Sequence, residues 1–338
     1  MFHKLKNIRS KQVVVMHDFF IDRIVRINDF GSLISKVSAK AKVGGGSIRG
    51  IMQEEIKGGN AVNVAYSLAR LGAKVSLITI GDSIGESILK EIFSPFKARL
   101  IIASGKPGYT ISFELGRKKA NVMVSDVGDM CNFDAGKLRK NELNAIKKAS
   151  AVAVTNWASN IKGTDLARKA FENASKGALR FLDPADISTR RKEFRKCLQE
   201  LSGYFDVLSV NENECRLTMR FMGLEALPVN YSSRDIMDAA KALASKLSTN
   251  VDVHTPMGSS TSNGKETIFA RSVKVKTAVS TGAGDVWDAA DIAGYLCGLD
   301  GEERLLFANA SAALYISKIE SPTFEEVSKF FKTTAVLL

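Results

Sequence analysis

The amino-acid sequence predicts an α/β protein in which helices cover both faces of a mostly parallel central sheet, a three-layer α/β/α arrangement. Three observations carry this prediction. Short apolar runs typical of buried strands alternate with segments of helical periodicity along most of the 338 residues. Two stretches of alternating apolar and polar residues, 19–57 and 105–126, interrupt that order. A glycine-rich turn near the end of the chain joins a strand-like segment to a helical one.

The strands and helices can be placed in order along the chain. The strands are predicted at 13–15, 75–80, 151–155, 179–182, 207–210, 251–254 and 273–279. The helices are predicted after Gly58-Gly59 as far as Gly72, and then at 84–93, 166–174, 285–298 and 303–317. Strands alternating with helices indicate a parallel sheet covered on both faces. The two alternating stretches do not fit that sheet, and we expect them to pair as a small second sheet above the edge that carries the site.

Composition excludes several classes of protein. Hydrophobic residues make up 45% and charged residues 25%, as in ordinary globular proteins. No apolar run approaches the ~18 residues of a membrane span, and Val13–Met16 is too short for the core of a signal peptide. A cytoplasmic protein is therefore expected. The four cysteines are far apart, which favours free buried thiols over a zinc site or a disulfide framework.

The net charge of +12 admits an anionic partner. Lysines and arginines are scattered, and the short clusters at 117–119 and 190–192 carry no interleaved aromatic residues of the kind that single-strand binders use. A solvated basic surface is therefore favoured over a nucleic-acid interface. A nucleotide triphosphate would also benefit from the positive field.

The sharpest functional signal is Thr281-Gly282-Ala283-Gly284-Asp285, which opens a helical segment. At a helix N-terminus the first N–H groups have no intrahelical partner, and the helix dipole favours an anion there. A carboxylate beside those donors can take a proton from an attacking hydroxyl while the N–H groups stabilise a moving phosphoryl group. An aspartate that caps its own helix after a glycine turn explains the same residues equally well.

Two other phosphate-binding loops fit this sequence poorly. In the dinucleotide fingerprint Gly-x-Gly-x-x-Gly, the third glycine position would hold Trp287, whose bulk would block close packing of helix on strand. The Walker pattern Gly-x-x-x-x-Gly-Lys-Ser/Thr occurs nowhere in the chain.

The second signal is Gly58-Gly59-Asn60-Ala61-Val62-Asn63. Two glycines before a helix permit hinge motion or backbone contact with a ligand. The amide of Asn63 can both donate to and accept from hydroxyl groups. A glycine turn followed by a surface amide is the alternative explanation.

Together, in this order and at this separation, the two signals resemble the N-terminal and C-terminal signatures of the PfkB-type carbohydrate kinases, the ribokinase-like family. Ala69-x-Leu71-Gly72 continues the first signature. The resemblance spans roughly residues 13–317, and three further segments are similar to motifs of that family. Asp18 and Asp22 are similar to its early sugar-binding aspartates. Asn211-Glu212-Asn213-Glu214 is similar to its Asn-x-x-Glu motif, and Ala308-Asn309-Ala310 to a segment near the adenine.

The sequence also departs from the family pattern. His17 stands where a glycine usually follows the first strand, and Val279 stands where the second signature prefers a polar residue. Ala290 replaces a glycine in the helix after Asp285. Thr255-Pro256-Met257-Gly258 matches the nucleotide loop Thr-x-Gly only loosely.

The resemblance implies a role for each matching residue. It implies a ribokinase-like kinase domain over 11–338, with a lid formed by 19–57 and 105–126. Asp285 would be the general base, and Gly282, Ala283 and Gly284 would form the anion hole. The expected substrate-binding residues are Asp18, Asp22, Gly58, Gly59 and Asn63. The expected nucleotide-binding residues are Asn211, Thr255, Gly258, Thr281 and Asn309. Glu214 and Asn211 would reach Mg²⁺, through water, since Mg²⁺ keeps several waters; a helix cap made by the same two residues is an alternative that can hold at the same time.

The implied activity is transfer of the γ-phosphoryl group of ATP to a hydroxyl of a carbohydrate, with Mg²⁺ as cofactor. A nucleoside kinase of the same family and a non-catalytic sugar- or nucleotide-binding regulator are the alternatives, and the retained Asp285 favours catalysis. A requirement for a monovalent cation and the use of ADP as donor are left open. The expected partner is a small molecule, with no membrane and no nucleic acid, and a homodimer could form through the exposed lid edge.

Overall fold

The structure is a computed structural model, and it describes residues 1–115, 120–276 and 281–334. The basic cluster at 117–119 and the departure at Val279 lie outside the described residues. The strands are β1 (Gln12–His17), β2 (Phe20–Ile27), β3 (Met52–Gly58), β4 (Lys74–Gly81), β5 (Arg99–Ser104), β6 (Gly108–Leu115), β7 (Ala120–Asp126), β8 (Ala151–Val154), β9 (Leu179–Leu182), β10 (Val207–Asn211), β11 (Asn250–His254), β12 (Gly258–Ser262) and β13 (Thr267–Arg271).

Helices separate most of these strands. They are α1 (Phe2–Leu5), α2 (Phe30–Lys42), α3 (Asn60–Leu71), α4 (Ser83–Phe93), α5 (Lys140–Lys148), α6 (Gly163–Asn173), α7 (Arg191–Glu200), α8 (Glu212–Phe221), α9 (Ser233–Leu247), α10 (Ala283–Leu296), α11 (Gly301–Lys318) and α12 (Phe324–Thr334). Within the described ranges, no helix is long and apolar enough to cross a membrane.

The large sheet has the order β13-β12-β11-β10-β9-β8-β1-β4-β5. Strands β11 through β5 in this order are parallel to one another, and the hairpin β12–β13 adds two antiparallel strands at one edge. Parallel neighbours need crossover connections, which the helices supply. The predicted mostly parallel sheet is therefore confirmed.

Strand β1 lies inside the large sheet and shows why the fold has three layers. Successive side chains of a strand point to opposite faces. Val14 and Met16 accordingly join the apolar cluster on one face, whereas Val13 and Val15 join the cluster on the other. All four side chains are completely buried. Helices cover both faces, as the continuous apolar run of this strand predicts.

The small sheet has the order β3-β2-β6-β7. Strands β2 and β6 are parallel, and the outer pairs are antiparallel. Its strands come from the two alternating stretches of the sequence, so the predicted second sheet is confirmed.

Helix α2 was not expected inside the first of those stretches. The Asp29 carboxylate caps it by accepting a bond from the Ser32 N–H at 2.8 Å. None of its side chains is buried, and Phe30, Ile34 and Val37 are each about half exposed. The glycines and serines around this segment concealed a helical pattern whose apolar face does not enter the core.

The prediction of a strand at 273–279 is wrong for residues 273–276, the part of it that the structure describes. Residues 272–276 form no regular element, and 277–280 lie outside the described residues. The sheet edge at this point is already formed by β12 and β13. The sequence of β12, Gly258–Ser262, is rich in serine and lacks the apolar character that usually identifies a strand.

Candidate active site

The two glycine-rich motifs meet at the carboxyl edge of the large sheet, where α3 and α10 begin side by side. Asp285 lies in the first turn of α10 and is 6% exposed. Its Oδ1 accepts a hydrogen bond from Asn60 Nδ2 at 2.8 Å, and its Oδ2 accepts one from Asn63 Nδ2 at 2.9 Å. The structure thus brings Asp285 and Asn63 together and adds Asn60, which the sequence analysis had not selected.

Asp285 has the electrostatic environment of a strong base. Burial raises its pKa well above the usual value, and the nearby Asp183 carboxylate raises it further. The hydrogen bonds from Asn63 and Asn60 act in the opposite direction because they stabilise the charged form. A carboxylate with a raised pKa accepts a proton from a hydroxyl group more readily than an exposed one does.

The turn before α10 can bind an anion. Gly282 has φ +83°, a left-handed conformation that favours glycine, and a Cβ on this residue would lie 2.7 Å from the Tyr315 hydroxyl oxygen. Tyr315 donates from that hydroxyl to the Thr281 carbonyl at 2.9 Å, which holds the turn in place. By helix geometry the N–H groups of Ala283 and Gly284 have no intrahelical acceptor, so they are donors for an anion.

Asp18 is completely buried, and its carboxylate accepts hydrogen bonds from four protein donors. The donors are Asn60 N at 2.7 Å, Ala61 N at 2.9 Å, Asn156 Nδ2 at 2.9 Å and Thr155 Oγ1 at 3.2 Å. The carboxylate therefore stabilises the start of α3 and ties it to the residues that follow β8. Direct contact between Asp18 and a substrate stays a prediction.

Asp22 lies on the small sheet and packs against the first glycine motif. A Cβ on Gly58 would overlap the Asp22 carboxyl group, at 2.3 Å, so a larger residue there would displace that carboxyl group. Gly59 has φ +94°, and a Cβ on this residue would lie 3.0 Å from the backbone of Phe19. Burial raises the pKa of Asp22 to about 6, and the Thr110 hydroxyl partly offsets this.

A cavity of about 630 Å³ lies between the small sheet and the beginnings of α3 and α10. Asp22, Ile24 and Ile56 line it from the small sheet. Asn63 and Gly282, which flank Asp285, line it from below. A ligand in this cavity would therefore contact the turn at Gly282 and Asn63, whose amide bonds to Asp285.

Asn211 and Glu214 cap α8 reciprocally. The side chain of Asn211 accepts from the N–H groups of Asn213 and Glu214, at 2.9 and 3.0 Å. Glu214 Oε2 accepts from Asn211 N at 2.9 Å, and Oε1 accepts from Asn211 Nδ2 at 2.6 Å. The helix-cap interpretation therefore holds, and a metal role for these residues stays a prediction.

The negative charge around Glu214 would favour the binding of Mg²⁺. Burial raises the pKa of Glu214, and the carboxylate of Asp183 raises it further, so a divalent cation would relieve a concentration of negative charge. Among the described residues, no group of three or more His, Cys, Asp or Glu side chains could hold a metal by itself. Mg²⁺ commonly takes one or two carboxylates and completes its shell with water and phosphate oxygens, which fits Glu214 as a single contributor.

The turn between β11 and β12 contains Thr255 and leads into Gly258, and Asn309 lies beside it on α11. The Thr255 hydroxyl donates to the Gly258 carbonyl at 2.8 Å. Asn309 is buried, and its amide bonds to Ser259, to the indole of Trp287 and to the Ala270 carbonyl. The side chains of Thr255 and Asn309 thus bond to protein partners, and a direct contact of either one with a nucleotide stays a prediction.

Sequence reasoning missed two buried carboxylates near Asp285. Asp183 follows β9 at the carboxyl edge, and burial raises its pKa to about 6. Asp288 accepts a 2.6 Å hydrogen bond from the Ser209 hydroxyl. The position of Asp183 directly after a buried strand, and the spacing of three between Asp285 and Asp288 on one helix, were the signals that could have identified them.

Comparisons with known proteins agree with this geometry. The model of the "pfkB family carbohydrate kinase" matches residues 30–326. The chain therefore belongs to the pfkB family of carbohydrate kinases. The comparison with curated proteins found no match.

Solved structures support the fold. Ribokinase from Thermotoga maritima superimposes with a TM-score of 0.74 at 20% identity, covering 95% of this chain and 98% of that one. Adenosine kinase from Sinorhizobium meliloti gives 0.72 at 17% identity, covering 96% and 99%. An E. coli protein described as a ribokinase II, solved with ATP and Mg²⁺, gives 0.71 at 16% identity, covering 95% and 98%. At these identities the likeness concerns the ribokinase-like fold.

Proposed function

We propose that the protein is an ATP-dependent sugar kinase that transfers the γ-phosphoryl group to a hydroxyl of a carbohydrate. The observation that carries the proposal is the meeting of Asp285 with Asn60 and Asn63 beside the turn at Gly282 and the 630 Å³ cavity. A base, an anion hole and an acceptor space lie together there, as phosphoryl transfer to a hydroxyl requires.

The roles of the residues follow from their positions. The acceptor lies in the cavity with its hydroxyl toward Asp285, and Asn63 and Asp22 bond its other hydroxyls. Asp285 takes the proton as the hydroxyl oxygen attacks the γ-phosphorus, and the bond from that phosphorus to the bridging oxygen breaks, so that ADP leaves. The N–H groups of Ala283 and Gly284 stabilise the charge on the phosphoryl oxygens. Mg²⁺, when bound with the nucleotide, neutralises phosphate charge. Glu214, with Asn211, would hold its water shell.

In this proposal the lid, 19–57 and 105–126, closes over the acceptor and excludes water, which otherwise competes for the phosphoryl group. Thr255, Gly258, Thr281 and Asn309 shape the nucleotide side. The kinase domain then spans 11–338, and a cytoplasmic location would supply ATP.

A phosphoryl-transfer screen tests the proposal. The purified chain is incubated with ATP and Mg²⁺ and with pentoses, hexoses, sugar phosphates and nucleosides, and products are identified by mass spectrometry. Parallel reactions replace ATP by ADP or add K⁺. We expect one acceptor class to be phosphorylated. Binding of a sugar or nucleotide without any phosphorylated product would instead favour the non-catalytic regulator.

A nucleoside kinase is the second candidate, and the cavity supports it. Ile24, Ile56 and Met123 from the small sheet give it an apolar side, and Tyr66 and Ile92 line it further from the catalytic turn. Such a surface suits a flat nucleobase better than a free sugar, which presents hydroxyl groups all round. Adenosine against ribose in the same screen separates the two candidates.

A homodimer through the small sheet is part of the proposal. Ile111, Val122 and Val124 are 42%, 50% and 59% exposed. They lie on the opposite face of β6 and β7 from Ser112 and Met123, which line the cavity. A contiguous exposed apolar face of this kind is typical of protein interfaces. Sedimentation equilibrium should give twice the 36.7 kDa chain mass, and Val124→Lys should return the monomer.

A further inference from the structure

His254 is a side chain at the candidate site to which neither the motifs nor the proposed function give a role. It is the last residue of β11 and pairs in register with Asn211 at the end of β10. Its Cε1 atom lies 3.2 Å from the position that a Cβ on Gly284 would occupy. The imidazole therefore lies directly beside the anion-binding turn, on the side of the residues expected to reach Mg²⁺.

The ring of His254 is held in place by aromatic stacking. It stacks on Trp287 with ring centroids 4.9 Å apart and an angle of 26° between planes. The indole of Trp287 donates to Asn309 Oδ1 at 2.9 Å, and Asn309 is fixed in turn by Ser259 and the Ala270 carbonyl. A chain of contacts thus fixes the orientation of the imidazole before any ligand binds, which lowers the entropic cost of binding.

The polar edge of the ring has no protein partner. Neither nitrogen of His254 takes part in a hydrogen bond with the residues that the structure describes. The side chain keeps some solvent exposure, unlike His17, whose ring nitrogens are sealed in the core. Buried or half-buried polar groups are normally bonded, so an oriented but unbonded edge beside an anion hole indicates a ligand contact.

Burial lowers the pKa of the His254 imidazole, and the carboxylate of Asp252 offsets only part of that effect. A neutral imidazole offers one N–H donor and one acceptor nitrogen. The N–H can donate to a phosphate oxygen without placing a fixed positive charge against the helix N-terminus.

We propose that His254 donates a hydrogen bond to the phosphate chain of a nucleoside di- or triphosphate that lies across the anion hole. This inference rests on the proposed kinase function and adds a nucleotide-contacting residue to it. The competing explanation is that the ring only packs Trp287 and supports the turn.

Two substitutions separate these explanations. His254→Phe keeps an aromatic ring to stack on Trp287 but has no donor. His254→Gln keeps an N–H donor near the position of Nε2 but loses the ring. ADP binding is measured by calorimetry, and by the fluorescence of Trp287 in a Trp157→Phe background, since the chain has two tryptophans. His3→Phe, at an exposed position in α1, is the control for loss of a histidine.

We expect His254→Phe to weaken ADP binding about tenfold or more, the usual effect of losing a hydrogen bond to a charged group. We expect His254→Gln to stay within about threefold of the original chain. Binding of the phosphoryl acceptor, measured without nucleotide, should be unchanged in both. Thermal unfolding checks that each variant is folded, and His254→Leu replaces the Phe variant if that one does not fold.

The outcomes are distinguishable. Unchanged ADP affinity in His254→Phe would mean that the ring acts by packing, and an equal loss in both variants would mean that the N–H donor does not account for the effect. Either result would overturn the proposal while the kinase function stands. Absence of ADP and ATP binding in the unsubstituted chain would remove the proposed function and this contact with it.

Discussion

The carboxyl edge of the large sheet and the small sheet above it differ in how deeply their charged side chains are buried and in how these side chains are paired. At the edge, Asp18 and Asp285 are almost completely buried, and protein donors bond to both oxygens of each carboxylate. On the small sheet, Arg23 pairs with Glu55, and both side chains are about half exposed. Arg26 bridges Glu54 and Glu114 and is also well exposed.

The difference shows which region is preorganised. Buried, bonded carboxylates cost free energy to desolvate, and they keep one geometry because any movement would leave them unpaired. Exposed pairs are weak and can break and reform as a sheet moves. The edge is therefore suited to chemistry and the small sheet to closure and selection. Each prediction below tests one side of this contrast, from the largest expected effect to the smallest.

Asp285→Asn should have the largest effect. We expect kcat to fall ~10²-fold or more, equivalent to about 2.7 kcal/mol of barrier, because the base is removed while the side-chain shape is kept. Acceptor and nucleotide affinities should change little. Steady-state kinetics and calorimetry measure both, and near-normal turnover would show that the edge is only a helix cap.

Gly282→Ala should damage the edge through the backbone. A left-handed alanine costs about 1 kcal/mol, and its Cβ would also press on the Tyr315 hydroxyl. We expect kcat to fall and the free energy of unfolding to drop by about 1–2 kcal/mol.

The matched control is Gly203→Ala. Gly203 has φ +79°, and its Cβ would meet nothing within 4 Å. This variant should lose about 1 kcal/mol of stability and retain its kcat. Equal kinetic losses in both variants would mean that strain in general, and not the anion hole, controls turnover.

Asp22 lies on the small sheet and packs against Gly58 at the edge, so it connects the two regions. Its contribution to acceptor binding should depend on pH. If its carboxylate accepts bonds from the acceptor, KM for the acceptor should rise as the pH falls through about 6, where Asp22 becomes protonated. In Asp22→Asn the acceptor KM should no longer change around that pH. A KM with the same pH dependence in both proteins would assign the titration to another group.

The same group has a predictable effect on stability. Its pKa in the folded protein lies above the ordinary value of 3.8, so above pH 6 folding must bury a carboxylate, whereas below 3.8 both states hold the neutral acid. Asp22→Asn should therefore unfold less readily at pH 8, by about 1–2 kcal/mol, and show no advantage at about pH 3. Urea titrations at the two pH values measure the difference.

Arg23→Ala should have the smallest effect. The exposed pair with Glu55 is expected to contribute less than about 1 kcal/mol, further reduced by salt. We expect an unchanged kcat and a small change in melting temperature. A loss comparable to that of Gly282→Ala would contradict the view that the small sheet is held together weakly.

Most of the architecture could be read from the sequence because it depends on local patterns. The apolar run of β1 and the glycine at the end of α3 identify their elements by spacing alone. Strand β5, the hairpin β12–β13 and the helices α2, α5, α7, α9 and α12 were not predicted. Two of these have a clear reason: β12 is rich in serine, and the apolar face of α2 is exposed, so neither follows the rule that buried elements are apolar.

The site divides in the same way. The glycines and Asp285 were visible because close backbone approach and a helix start need particular residue types. Asn60 and His254 were not visible. Asn60 matters because it bonds to Asp285, and His254 matters because it stacks on Trp287; in each case the partner lies on another element.

By itself, the sequence determined the parallel core strands with the helices next to them, the two glycine turns and the presence of a carboxylate at a helix start. Only the tertiary structure decided that Asn60 would bond to a carboxylate 225 residues away and that Asp18 would cap α3 instead of facing solvent. The physical reason is one of range. Helix periodicity and turn conformation act over a few residues, whereas these bonds exist because folding packs the start of α3 directly against α10 and against the residue that follows β1.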